Sequence, residues 1–260
     1  QTVVSTDITT NTTWGNALNP SPIILQTAIF VKNNATLTIL PGTIVRGQAR
    51  SGPVIAGSTV GTPGALIVTQ AGRIVANGSA TNPIIMTTAT VDNNGDKIAD
   101  DVNGDGFYDS WVPGARFLDD TPTTAPLAPL NGAGKGNVQL WGSLVLLGNA
   151  PTNLADRNGV GFGKGTVEGF TVPGFPIADV IYGGLEPHDN SGILRYVSLR
   201  HGGDEIGNSN ELNGISLAGV GDGTTIENVE VYCNFDDGVE WFGGTVNASR
   251  LIVSFQGDDT

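Results

Sequence analysis

Basic residues are scarce: twelve lysines and arginines stand against twenty-five aspartates and glutamates, giving a formal charge of −13 and a sequence pI near 4.3. A nucleic-acid binder needs a basic face to neutralise phosphates, so that partner is excluded, and an acidic surface also disfavours anionic membranes. Charged residues of both signs make up only 14% of the chain, against roughly one quarter in ordinary globular proteins. Cys233 is alone, which rules out an intrachain disulfide. A single thiol in such a chain reads as a small buried filler rather than a nucleophile. No apolar run reaches the roughly eighteen residues needed to span a bilayer, and no signal-peptide pattern is read. The first residue is Gln1, not Met, which suits a processed, exported protein. Helical periodicity is missing as well. Every candidate apolar stripe at i, i+3, i+4, i+7 is interrupted by glycine, proline or asparagine.

What is present is glycine, at 38 residues, together with short runs of valine, isoleucine and threonine. PIILQTAIFV, ATLTILPGTIVRG, ALIVTQAGRIVANG and PIIMTT read as strands divided by turns. Leu37-Thr38-Ile39 followed by Gly42-Thr43-Ile44-Val45 is echoed by Leu66-Ile67-Val68 followed by Gly72-Arg73-Ile74-Val75, a period near thirty residues. A clearer repeat lies further on, where TTIENVEVY from Thr224 is matched by VNASRLIVS from Val246, and Asp236-Asp237 by Asp258-Asp259. That offset is twenty-two residues. Such periods mean stacked units, and short strands punctuated by glycine and asparagine suit a parallel β-helix better than a sandwich. Ile226, Val229, Val231, Leu251 and Val253 are then expected to face inward. The predicted organisation is one solenoid, with N-terminal rungs over 1–87 and C-terminal rungs over 138–260. An inserted acidic and Pro/Thr-rich loop, 88–137, separates them, and its tract LDDTPTTAPLAPLNGAGKGN is read as having no possible core.

The insert opens with DNNGDKIAD and DVNGDGFYD. Calcium (Ca2+) takes six to eight oxygen ligands, and EF-hand-type loops supply them from positions 1, 3, 5, 7 and 9 with glycine at position 6. Asp101, Asn103, Asp105, the Phe107 carbonyl and Asp109 fit, with Gly106 at the turn. The preceding copy offers Asp92, Asn94, Asp96, the Ile98 carbonyl and Asp100, with Lys97 in place of glycine. Val112 stands where an EF-hand has its bidentate glutamate, so the loops resemble thrombospondin type 3 and dockerin calcium repeats instead. Oxygen-only ligands argue against zinc or copper and for a structural cation.

Asp236, Asp237, Glu240, Asp258 and Asp259 form the second acidic set. If twenty-two residues make one coil, Asp236 stacks on Asp258 and Asp237 on Asp259 at the roughly 4.8 Å strand spacing. Like charges so close need a cation, a hydrogen-bond network or a raised pKa. Pectin-degrading β-helix enzymes also cluster carboxylates on one face of the coil, and two carboxyls can act as acid and base on a glycosidic bond. Against catalysis, His201 precedes the acidic pairs and no basic motif follows them. A turn-forming DDG explains the residues by itself. His188, in EPHDNSG, is placed on a loop. Trp141, Trp241 and Phe242 are candidate stacking platforms if the protein is a carbohydrate-binding module. Sequons stand at Asn11, Asn34, Asn77 and Asn247.

ATLTILPGTIVRG, LWGSLVLLGNAP, YGGLEPHDNSGILRYVSLRHGG, NELNGISLAGVGDGTTIENVEVY and DDGVEWFGGTVNASRLIV resemble a family of exported bacterial surface proteins with right-handed parallel β-helices. The resemblance spans nearly the whole chain outside the insert. It implies the fold and a secreted or cell-surface location, and carries no established activity. The family pattern continues past GDD with acidic and aromatic residues where this chain stops at Thr260, so a fragment or processed product is expected. The leading expectation is a calcium-stabilised structural protein that associates end to end. Strands around Ile23 to Val31 would meet those around Leu251 to Phe255, because unpaired strand edges template further pairing. A polysaccharide-active enzyme and a glycan-binding module are the alternatives.

Overall fold

The computed structural model of the chain describes residues 1–15, 21–52, 61–132, 134, 136–155, 163–167, 176–206 and 210–259. Parallel strands stack into three faces of a β-helix. The first face holds Ala28–Val31, Ala65–Val68, Ser143–Leu147, Ile215–Val220 and Val239–Gly244. The second holds Thr12–Trp14, Thr36–Ile39, Arg73–Asn77 and the first half of Gly192–Arg200. Thr2–Val4, Ile23–Leu25, Ile44–Gly47, Ile84–Thr88 and the second half of Gly192–Arg200 make the third. The long strands Thr225–Tyr232 and Ala248–Ser254 continue both the second and third faces.

The bend inside each long strand has a local cause. Tyr196 (φ 49), Asn228 (φ 53) and Arg250 (φ 57) sit in the left-handed region, and the pairing steps over them: Arg195 faces Glu227 and Val197 faces Val229. A left-handed residue between two extended segments turns the chain through a corner. Of these residue types only asparagine visits that region readily, so the ladders on either side must hold the tyrosine and the arginine there. A second left-handed series closes the third face at His201 (φ 62), Cys233 (φ 60) and Phe255 (φ 61).

The twenty-two-residue repeat is one rung: Ile226 lies opposite Ala248 and Val229 opposite Leu251. The thirty-residue echo is not a rung. Leu37–Ile39 pairs with Ile74–Ala76 on the second face, while Leu66–Val68 pairs with Ile29–Val31 on the first. The stacking offset there is thirty-seven residues, Leu37 opposite Ile74. Alternate strand residues point inward and form aliphatic columns such as Ile29, Leu66, Leu144, Ile215 and Val45, Met86, Leu199, Val231, all buried. Ile226, Val229 and Val231 are in this core, with Leu251 and Val253 packed against it and partly covered. Each fully buried aliphatic contributes about 1.5–3 kcal/mol relative to exposure.

Two further clusters dress the outside. Phe30, Ile67, Val145 and Leu147 on the outer side of the first face are covered by Val167, Val180 and Tyr182, the last two from the short helix Ile177–Val180 and the strand Ile181–Tyr182. Ile24, on the third face, packs with Ala89, Val91 and Trp111. Trp111 stacks on Phe117, centroids 5.7 Å apart. This corrects the expectation of an insert without a core: Leu118 is fully buried and Asp119 only 2% exposed within the tract read as coreless. Trp and Phe at single loop positions carry no periodicity, so pattern reading passes over them.

Of the expected end strands, Ala28–Val31 ends the first face apart from a single bridge from Ile8 to Val31, and Ala248–Ser254 is the last described strand of its ladder, but the expectation for Ile23–Leu25 is corrected. Ile23–Leu25 pairs with Thr2–Val4 on one side and Ile44–Gly47 on the other, so it is interior. At the other end, Trp241 follows Leu217 in an inward column but remains 46% exposed, because no further described strand covers it.

Candidate functional site

The corner between the third and first faces carries both the insert and the acidic pairs. Phe235 N donates to Gly202 O (3.0 Å) and Gly257 N to Asn234 O (3.0 Å), which continues the registers of the strands before them. Asp204-Glu205, Asp236-Asp237 and Asp258-Asp259 therefore occupy matching places on successive turns. Asp236, Asp237 and Asp258 each bring a carboxylate oxygen within 4.8 Å of the others. Asp259 joins through its backbone, its N–H donating to Asp237 Oδ1 at 2.8 Å and its carbonyl accepting from Gly238 N at 3.0 Å. Burial, then the charges of Asp237, Glu211 and Asp258, push the Asp236 carboxyl above its ordinary range. Glu240 is not part of the group. It lies on the first face opposite Ser216 and accepts from Asn213 Nδ2.

Asp204 is the member that sequence reasoning missed. It is 2% exposed, and burial raises its pKa to about 6 against the lowering effect of Arg50 and Gln139. The signal was present as HGGDE, NFDDG and FQGDD, but the offset from Asp204 to Asp236 is longer than twenty-two because an antiparallel hairpin, Asp204–Glu205 with Glu211–Leu212, intervenes.

The two insert loops repeat one hydrogen-bond scheme nine residues apart. Asp92 Oδ1 accepts from Gly95 N and Asp96 N, and its Oδ2 from Lys97 N; Asp101 Oδ1 accepts from Gly104 N and Asp105 N, and its Oδ2 from Gly106 N. Asn94 and Asn103 each donate to the aspartate two residues on, both at 3.0 Å. Asp96 Oδ1 accepts from Ile98 N, and Asp105 Oδ1 from Phe107 N. Asp100 and Asp109 close the loops by accepting from Asn93 N and Val102 N. Lys97, at φ 65, takes the same left-handed turn as Gly106 at φ 87, so the missing glycine does not change the loop's path. Among the described residues, neither loop brings three carboxylates as close together as Asp236, Asp237 and Asp258.

The family model described as a pectate-lyase-like β-helix domain matches residues 7–98 and 124–260, most of the chain and all three faces. The chain belongs to the pectate-lyase-like β-helix family. Residues 99–123, inside the insert, lie outside that match. No match is found among curated proteins or among solved structures.

Other candidates in this family member are placed as follows. His201 is fully buried, its Nδ1 2.7 Å from Asn137 O, and burial holds its pKa below the usual value. It packs edge-on against Tyr232 at 5.7 Å and has no opening to a substrate. His188 sits on an exposed turn with Nδ1 2.7 Å from Asp222 Oδ1, which raises its pKa. The Cys233 thiol is buried and pushed up to about 11, so no thiolate is available near neutral pH. Trp141, proposed as a glycan platform, is instead fully buried with Nε1 donating to Arg200 O at 2.7 Å. Phe242 packs on Tyr182, centroids 6.0 Å apart, which leaves Trp241 as the exposed platform of the three. All four sequon asparagines are exposed. No described helix is long and apolar enough to cross a membrane.

Proposed function

We propose that this chain is an exported, calcium-stabilised β-helix that contacts extracellular polysaccharide and is not itself a catalyst. The observation that carries the reading is the convergence of Asp236, Asp237 and Asp258 within 4.8 Å. Burial and the charges of Asp237, Glu211 and Asp258 all raise the Asp236 pKa, and a cation taken from solution would relieve that repulsion. An all-oxygen set selects a hard cation, and calcium tolerates the irregular geometry of a side-chain cluster. The insert loops, with oxygen ligands at positions 1, 3, 5, 7 and 9, are read as calcium sites that stiffen the insert. A bound cation on a chain of charge −13 also offers an acidic polysaccharide a bridge that the bare protein lacks.

Calorimetric titration with calcium, and retention of the protein on polygalacturonate gels with calcium or chelator, test this together. Calcium binding and retention that both weaken in Asp237→Asn are expected. Retention indifferent to calcium and to that variant overturns the reading. The family match favours one second reading, cleavage of the polysaccharide with the same carboxylates as acid and base. Release of unsaturated or reducing ends that Asp237→Asn abolishes would establish it.

A further inference from the structure

We draw no further inference here: the strongest candidate, the apolar groove between the end of the insert and the last described turn of the coil, lined by Leu130, Val138, Cys233 and Phe255, carries nothing because nothing in the structure shows what covers it.

Discussion

Arg46→Ala should release the insert from the coil and destabilise the protein by about 3–5 kcal/mol, the range for stripping one partner from a buried charged network. Arg46 is 3% exposed. Its Nη1 donates to Thr88 O at 2.8 Å and its Nη2 to Asp119 O at 2.5 Å. Its guanidinium lies 4.1 Å from the Phe117 centroid. Two hydrogen bonds from a charged donor are worth about 1.5–3 kcal/mol each, and a desolvated cation over a ring adds about 2 kcal/mol. Against this stand the desolvation of the guanidinium and the unpartnered Nε, several kcal/mol in opposition. Burial lowers its pKa to about 10, with Asp119 and Asp120 acting the other way, so the group is charged at neutral pH and the network is ionic there. Truncation also leaves the Asp119 backbone carbonyl without its Arg46 donor and takes a nearby positive charge from the Asp119 carboxylate, 2% exposed, which the Thr87 hydroxyl meets at 2.8 Å. Urea unfolding gives the free energy, and limited proteolysis reports whether 89–137 has come loose. Arg46→Met, which refills the volume without the charge, separates packing from pairing. A loss under about 1 kcal/mol in both variants, well below the range for a buried pair, with an insert as protease-resistant as before, would refute the reasoning.

Asp204→Asn should stabilise the protein in a pH-dependent way. Its folded pKa of about 6 lies above the unfolded value near 3.9, so its contribution is fully present below about pH 4 and is lost as pH rises through about 6; the difference is worth roughly 3 kcal/mol. The variant should therefore match wild type near pH 4 and exceed it above pH 7 in urea unfolding, and a constant offset across that range would contradict the burial argument. Gly192→Ala should cost several kcal/mol, because Gly192 sits at φ 129 and an added Cβ would overlap the Ile74 carbonyl; a near-neutral melting temperature would count against the register of that rung. Chelation should speed proteolysis within the insert, and Asp101→Ala, which frees the N–H groups of Gly104 and Gly106, should do so even with calcium present. Equal cleavage rates in all three conditions would remove calcium from the account of the insert.

The coil itself was legible because a parallel ladder imposes the same side-chain order on neighbouring rungs. TTIENVEVY and VNASRLIVS announce each other, and the DD pairs travel with them at twenty-two residues. The two insert loops were legible for a different reason, since DNNGDKIAD and DVNGDGFYD form one local scheme of side-chain to backbone bonds twice. Such local patterns depend on near neighbours alone. The thirty-residue echo misled because a strand's apolar pattern is alike on every face, and corner lengths decide which face it joins.

The sequence by itself therefore determined the architecture and the acidic character of one corner: apolar residues alternating along repeated strands stack into one inward column, and repeated aspartates after repeated strands must fall on repeated turns. Only the tertiary structure decided which groups meet there. Arg50 reaches Asp204 because intervening rungs return the chain to the same corner. Phe107 and Tyr108 reach them because Trp111 and Phe117 pin the insert against Ile24 and Arg46. No local spacing encodes those meetings, since they arise from how far each loop travels before the coil recovers its register.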